Sequence, residues 1–517
     1  MQRFYITTAI PYVNGDPHLG HALELVQADV LARHRRLRGQ PVRFLSGTDD
    51  NALKNVDAAL AAGAPVAEFV ARSGQRFADL AAPLQVSLDD VIRTGSDPRH
   101  RPGVERLWRA CAEAGDLYQR EYEGLYCAGC EAFVSPAELI DGRCPEHAER
   151  PERIAERNWF FRLSGHADHL LDLVRSGRLA IQPEHRRNEV LAFVESGLED
   201  FSVSRPRARA HGWGIPVPGD PDQVVYVWFD ALANYVTALG FGDAADEYRD
   251  WWGGDGERVH VIGKGITRFH AVYWPAILLS AGQPLPTRIV VHDYLTIEGR
   301  KIAKSLGTAV EPVAVVERFG ADALRWWFVR DVPRNGDADF RADLVAARAN
   351  ELADDLGNLV SRTVALASRH SLEGHGEIGQ FGRHAAVLRR RCQELPGAID
   401  RALAAFDLRL ASSELWAVVA EANRFLSSTK PWEIARAARD GDPAAAQTLA
   451  AVLSAALDAC SVVAREATPF LPAAAERIGE ALSELDAHKA RELFPKFGEA
   501  PKHARTGRAT RAPGAAG

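Results

Sequence analysis

Two histidines three residues apart, His18 and His21, stand where a β-like run hands over to a helical one. Imidazoles at that spacing share one side of a helix's first turn, and Gly20 between them lets a ligand approach the backbone. A helix N-terminus favours anions, so the pair suits phosphates. Far downstream, Gly299-Arg300-Lys301-Ile302-Ala303-Lys304-Ser305-Leu306-Gly307 places two lysines at i and i+3 between glycines. Such a mobile cationic loop suits charge that builds up on a departing pyrophosphate. Neither of the common glycine-rich nucleotide motifs is present, so a nucleotide must be held in another way.

A third group is Cys127-x-x-Cys130 with Cys144-x-x-His147. Two arms of sulfur and nitrogen donors, with Gly129 and Gly142 supplying turns, can close a tetrahedral zinc site. Four protein ligands leave no open position, so one structural Zn2+ per chain is expected. A fourth group is Asn358 and Arg362, four apart on one helix face, with Trp432 after Lys430-Pro431 at a helix start. Together they offer polar groups for base edges and a surface for stacking. Pairs of this kind are common in structural roles, and an aromatic stripe such as YVWF, taken alone, reads as core.

The elements that must position these groups follow from hydropathy patterning. RFYITTAI (3–10) reads as a strand, a helical pattern runs from Leu19 to Arg38 and stops at Gly39, and VRFLS follows as a second strand. This rhythm implies a parallel sheet with right-handed crossovers and a ligand at the carboxyl ends of the strands, where Pro11 to His21 would lie. It breaks between about 116 and 225, which reads as an inserted domain, and returns with VVYVWF, RVHVIG and RIVVHDYL as parallel strands separated by helical patterns such as ITRFHAVYWPAILLSAG. From about 346 the pattern is almost wholly helical, with breaks expected near Gly374, Pro396, Pro431 and Pro443. The Gly/Pro-rich, basic end should be disordered.

With 517 residues, several domains are expected. The Arg3–Ile10 start lacks a secretory pattern, and no apolar run is long enough to span a bilayer, so a soluble, cytoplasmic protein with no membrane partner is expected. The six cysteines are poor material for a disulfide framework. A formal net charge of −7 argues against non-specific coating of nucleic acid, though it leaves room for a local basic face that reads one folded RNA.

His18 to His21 and the Lys-x-x-Lys-Ser frame of Lys301 to Ser305 match the two signatures of class I aminoacyl-tRNA synthetases. TTAIPYVNGDPHLGHA, YVWFDALANYVTALG, VIGKGITRFHAVYWPA, DDLGNLVSRT and KPWE resemble, in the same order, segments of the methionyl-tRNA synthetases. The resemblance implies an α/β fold with a split Rossmann-type catalytic domain, a zinc-knuckle insertion and an all-helical anticodon-binding domain. The divisions expected are 1–115 and 226–296 for the two catalytic halves and 116–225 for the insertion. They continue with 297–345 for the lysine loop and linker, 346–495 for the helical domain and 496–517 for the tail.

What the resemblance implies for function is methionine–tRNA ligase activity, in which methionine is activated with ATP and Mg2+ and transferred to the 3′ end of a CAU-anticodon tRNA. His18, His21, Lys301 and Lys304 take the catalytic positions, and Gly20 and Ser305 join them in binding ATP. The methionine pocket maps onto Ala9, Ile10, Tyr12, Asp49, Trp228, Ala231, Leu232, Tyr235, Ile266, His270 and Trp274, with Asp49 holding the substrate ammonium. Asn358, Arg362 and Trp432 would read the anticodon, and no C-terminal dimerisation module follows, so a monomer is expected.

The sequence departs from the family at identifiable places. Ile302 and Ala303 stand where Met and Ser are usual, and Gly265 replaces the acid of Gly-Lys-Asp. Thr48-Asp49-Asp50-Asn51-Ala52 replaces Thr-Asp-Glu-His-Gly. Asp restored at Gly265 or Ser at Ala303 is expected to preserve or raise activity. The ligase reading includes a divergent second copy; a tRNA-independent paralogue activating an amino acid for a small-molecule pathway and a non-catalytic RNA-binding relic are the alternatives. Retention of His18, His21, Lys301, Lys304 and Asp49 speaks against the last.

Overall fold

A computed structural model describes residues 2–127, 132–134, 136–145, 150–302, 310–370 and 381–497. Its centre is a parallel sheet of six strands: β1 (Phe4–Thr8), β2 (Val42–Thr48), β3 (Asp90–Arg93), β4 (Ala180–Gln182), β5 (Glu257–Gly263) and β6 (Arg288–His292). Their spatial order is β3-β2-β1-β5-β6-β4. Parallel strands covered on both faces bury side chains on both sides. Phe4, Ile6, Phe44, Val259, Val261 and Val290 enter one core, while Tyr5, Leu45, Ile92, Ile262, Ile289 and Val291 enter the other. The chain runs outward in opposite directions on either side of β1 and β5, which opens a crevice at their carboxyl ends.

Helix α1 (Leu19–Leu37) crosses between β1 and β2; its C-cap is Arg38, and Gly39 ends it with φ +76°. Its buried face, Leu19, Leu23, Val26 and Val30, covers the sheet. VVYVWF departs from its expected place in the parallel sheet. Val224 and Val225 end an antiparallel strand, Asp220–Val225, which pairs with Ser204–Pro206, and Val227 already opens helix α2 (Val227–Thr237). A short apolar run has no period that separates strand from helix, and the change at Tyr226 leaves no mark in it. The short edge strands β3 and β4 are additions to the strands expected. β4 lies within the stretch 116–225, whose main structure is an antiparallel sheet ordered Ala132–Val134, Leu117–Cys127, Glu152–Phe161, Phe201–Ser202.

Beyond the sheet the chain is helical: α3 (Ala321–Arg330), α4 (Asn358–Ala367), α5 (Gly382–Ala404), α6 (Leu408–Thr429), α7 (Pro431–Arg439), α8 (Pro443–Ala467) and α9 (Pro472–Ser483). Pro431 and Pro443 open helices as expected, whereas Pro396 lies inside α5 instead of breaking it. A proline there removes one helical N–H and so frees the carbonyl four residues before it; the carbonyl of Pro396 itself accepts from Arg38 Nη2 at 3.3 Å. Gly374 and residues 498–517 lie outside the described residues. Among the described residues one helix, α8, is long and apolar enough to cross a membrane. Its apolar side, Leu449, Val452, Leu453, Ala456 and Val463, is packed in the bundle.

The sheet face and the helices share one continuous core through α1. Charge reinforces the junction. Asp29 of α1 meets Arg33 and Arg325, each at 2.8 Å, and the fully buried Arg325 also donates to the carbonyls of Leu84, Pro469 and Phe470. At the far end of α1, Arg38 pairs with Glu466 at 2.7 Å and Asp400 at 2.8 Å, and His34 meets Asp400 at 2.7 Å.

Candidate active site

His18 is the N-cap of α1, in extended conformation, and its Nδ1 accepts the Gly20 N–H at 3.1 Å. The His18 N–H in turn donates to His21 Nδ1 at 3.1 Å. This reciprocal cap fixes both neutral rings with the proton on Nε2, and stacks them 3.8 Å apart. Gly20 relieves crowding here, since a Cβ there would lie 3.0 Å from His18 Cε1, tighter than an ordinary contact. Burial, then the neighbouring His18 and His292, hold the His21 pKa well below its ordinary value. The two imidazoles are therefore neutral donors beside a helix N-terminus, an arrangement that receives phosphate oxygens.

They form one end of a cavity of about 690 Å³ at the carboxyl edge of the sheet. The other end is aromatic. Trp228 stacks on Phe269 at 3.9 Å and meets Tyr12 edge-on at 6.4 Å. The Tyr235 hydroxyl donates to His270 Nε2 at 2.7 Å, and His270 Nδ1–H donates to the Ile266 carbonyl at 3.0 Å. Burial pushes the His270 pKa down to about 4, so this ring too is neutral, and burial likewise raises that of Tyr235. Ala9, Ile10, Asp49, Ala231, Leu232 and Ile266 complete the wall. Trp274 stands apart: it is fully buried, 6.1 Å from Tyr235, and backs the wall without lining it. Asp49, 2% exposed, is anchored through the Asn51 N–H to its Oδ1 at 3.2 Å and its own N–H to the Pro11 carbonyl.

The loop after β2 explains one departure. The Asn51 side-chain amide donates to Asp230 Oδ2 at 2.8 Å; Asp230 Oδ1 meets His100 Nε2 at 2.5 Å, and His100 Nδ1 meets Thr237 Oγ1 at 2.8 Å. Asn51 therefore ties the Asp49 loop to α2, the helix that carries Trp228, Ala231 and Tyr235.

The cavity also contains Glu24, His292, Asp293 and Tyr294, which the sequence reading did not single out. Glu24 accepts the Ala9 N–H at 2.8 Å and faces His292 Nε2 at 2.9 Å. His292 Nδ1 faces the Asp293 carbonyl at 2.9 Å. Both ring nitrogens meet acceptors, an arrangement that favours the doubly protonated ring. Burial opposes its charge, but the Glu24 hydrogen bond and carboxylate carry its pKa above the ordinary value. Their position was discoverable: Glu24 follows His21 by three residues, and His292 ends a parallel strand, where ligands bind.

The other expected groups are distributed as follows. Arg300–Lys301 pairs antiparallel with Leu295–Ile297 through a hairpin whose turn residues, Glu298 and Gly299, both have positive φ. Ile302 is buried and lines the cavity, while Ala303, Lys304 and Ser305 lie outside the described residues. Cys127 and Cys144 are buried in one small cluster with Val134. Cys130 and His147 lie outside the described residues, and among the described residues no three potential metal ligands gather. On the helical region, the Arg362 guanidinium lies 5.4 Å from the centre of the Trp432 ring, which is 44% exposed. Asn358, one turn before Arg362, is exposed and donates to the Asp354 carbonyl at 2.9 Å. The three form one surface group.

Comparison with known proteins gives a consistent result. Residues 4–153 and 129–364 match the family described as tRNA synthetases class I (M), and residues 376–513 match the anticodon binding domain of methionyl tRNA ligase. The chain is 40% identical over 490 residues to a methionine–tRNA ligase of Brucella suis, covering 93% of this chain and 92% of the relative. It is 39% identical over 495 residues to that of Mycobacterium tuberculosis H37Rv, covering 94% and 92%. Among solved structures, Mycobacterium tuberculosis methionyl-tRNA synthetase in complex with methionyl-adenylate superposes with a TM-score of 0.87 at 36% identity, covering 97% of this chain and 100% of that one. The apo form of that enzyme gives 0.82 at 34% identity, covering 96% and 99%.

Proposed function

The chain belongs to the class I methionyl-tRNA synthetases and catalyses their reaction, activating methionine with ATP and transferring it to tRNA; on that premise we propose how its own residues divide the work. One observation carries the proposal: a single cavity joins the His18–His21 helix end to an aromatic end around Trp228 and Tyr235. ATP, accompanied by Mg2+, lies toward the histidines, with Gly20 allowing its close approach. Methionine lies toward the aromatic end, its ammonium on Asp49. Its thioether is enclosed by Ala9, Ile10, Tyr12, Trp228, Ala231, Leu232, Tyr235, Ile266 and His270, with Trp274 supporting the wall from behind. Each sulfur–aromatic contact contributes roughly 0.3–1.5 kcal/mol, so selectivity needs several of them and the shape together.

A methionine carboxylate oxygen attacks the α-phosphorus in line, the bond to the bridging oxygen breaks, and pyrophosphate leaves. No protein nucleophile is needed. His18 and His21 donate Nε2–H to phosphate oxygens, Lys301 and Lys304 neutralise the leaving group and Ser305 helps to bind ATP, so the residues position and stabilise charge.

Cys127, Cys130, Cys144 and His147 are proposed to hold one structural Zn2+. Burial of Cys127 and Cys144 together, and the Ile140–Arg143 turn that folds the second arm back, fit this reading. The metal would crosslink the insertion and take no part in the reaction. Asn358, Arg362 and Trp432 are proposed to read a CAU anticodon in a monomeric, cytoplasmic enzyme. Pyrophosphate exchange over all amino acids, followed by charging of a CAU-anticodon tRNA, tests the whole reading. Exchange with methionine alone and charging of that tRNA are expected; preference for another amino acid, or exchange without charging, would replace it with a biosynthetic paralogue.

A further inference from the structure

The hairpin that leads into the lysine motif rests on a short strand from elsewhere in the chain. Leu295 and Thr296 pair in parallel with Ala338 and Asp339, which follow α3, and Thr296 pairs with Lys301 on its other side. Backbone bonds fix this register: the Ala338 N–H donates to the Tyr294 carbonyl at 3.0 Å, and the Phe340 N–H to the Thr296 carbonyl at 2.8 Å. The seat is itself held. The Phe340 ring meets Trp327 of α3 edge-on at 5.3 Å, and the Gly336 N–H donates to Asp293 Oδ2 at 2.7 Å. Asp337 Oδ1 accepts from Lys264 Nζ at 2.6 Å and from the Tyr294 N–H at 3.0 Å.

Asp339 extends the seat to the turn of the hairpin. Its Oδ1 accepts the Thr296 hydroxyl at 2.9 Å and the Gly299 N–H at 3.0 Å. The second bond answers a need of the turn. In a two-residue hairpin the ladder closes at Ile297 and Arg300, so the N–H groups between them have no partner in it and take water or an outside acceptor. A carboxylate is a strong one. One oxygen therefore ties the strand before the turn to the turn itself. From that turn the chain leaves directly as Arg300-Lys301-Ile302, with Ile302 buried in the cavity wall.

We propose that Asp339 is a positioning residue for adenylate formation: by holding Thr296 and Gly299 on one oxygen, it fixes the course on which the lysine motif leaves the hairpin. It does not line the cavity and acts only through the hairpin's backbone and the Thr296 hydroxyl. The ladder it supports is short, and a slip of one residue would exchange the faces to which Lys301 and Ile302 belong. Lysine charge stabilises the departing pyrophosphate only from the right place, and a misplacement of about 1 Å can lower a rate on the order of a hundredfold.

The inference rests on the proposed role of Lys301 and Lys304, and the test separates the two. Wild type, Asp339→Ala and Asp339→Asn are compared by single-turnover adenylate formation, equilibrium methionine binding and thermal unfolding. Hydrogen–deuterium exchange of the 295–301 backbone is followed without substrate. In Asp339→Ala the rate should fall about tenfold or more while methionine affinity stays within about twofold. The unfolding temperature should not change, because Asp339 is exposed and outside the core, whereas the 295–301 amides should exchange faster. Asn keeps an acceptor oxygen in the same place and should recover both the rate and the protection. An unchanged rate or unchanged exchange in Asp339→Ala, a loss accompanied by a lower unfolding temperature or weaker methionine binding, or an Asn variant no better than Ala would overturn the inference. If wild type forms no methionyl-adenylate, the functional reading falls; faster exchange in Asp339→Ala would still uphold Asp339 as the holder of the hairpin, and equal exchange would overturn it.

Discussion

His18 and His21 donate from Nε2 because their Nδ1 atoms are spent on backbone N–H groups, so their task is to present neutral donors. The charge that matters most as pyrophosphate departs is then lysine charge. Lys304→Ala should slow adenylate formation far more than it weakens methionine binding. Single-turnover rates and equilibrium methionine binding separate the two, and a fall in methionine affinity at constant rate would place the lysine in the amino-acid pocket. Protonation gives a second expectation. His270, with its pKa near 4 in the folded chain and about 6.5 when unfolded, favours the folded state above pH 6.5 and loses that contribution as pH falls toward 4. A shift of that size corresponds to about 3 kcal/mol. His21 and His260, also lowered well below their ordinary values, add in the same direction. His292 acts oppositely: its raised pKa contributes stability below pH 6.5 that is lost as pH rises through the folded value. Urea midpoints should therefore fall between pH 6.5 and 4, and less steeply in His270→Gln; parallel profiles for the two proteins would remove His270 as a cause. The position of the histidine pair at a helix start was readable from its spacing, whereas its role needed the lysine motif beside it. The Glu24–His292 pair was not, because its partners lie 268 residues apart and only the sheet brings them together.

At the scale of elements, α1 was readable almost to its ends, since its apolar period is long and Gly39 marks the stop. VVYVWF was misplaced because six apolar residues carry no period, and Pro396 because a helix anchored at both ends by tertiary packing tolerates an internal proline. The tie between α1 and α3 lay beyond sequence reading, as Asp29 and Arg325 are ordinary charges until folding buries them. Removing one member of a buried pair leaves the other uncompensated, at a cost of about 3–5 kcal/mol. Arg325→Met should show a loss of that order in chemical denaturation, tempered by the contacts Asp29 keeps with Arg33 and Ser87. A loss below about 1 kcal/mol would mean that the junction is held by apolar packing alone. In the insertion, one zinc equivalent per chain is expected in freshly purified protein, and Cys127→Ser should lose it while ATP binding persists. Metal content well below one per chain would remove the zinc site.

For the whole molecule, the surface formed by Asn358, Arg362 and Trp432 lies on the helical region, away from the cavity. Stacking of a base on an aromatic ring contributes about 1–3 kcal/mol, or roughly ten- to over a hundredfold in affinity. Trp432→Ala should cut charging of a CAU-anticodon tRNA at least tenfold while methionine-dependent pyrophosphate exchange changes little. Equal loss in both assays would assign Trp432 to folding, and no loss in either would take it out of RNA recognition. The three residues could be chosen from sequence only through family resemblance, because neither helical spacing nor exposure tells a stacking platform from an idle tryptophan.

Helix α1 gives the molecule a mechanical property. Nineteen residues at about 1.5 Å each make a rod of about 28 Å. One end is the cap that aims His18 and His21, and the other is bolted to Asp400 and Glu466 in the bundle. The same nineteen residues thus belong at one end to the cavity and at the other to α5 and α8, so the bundle and the two imidazoles share a single element.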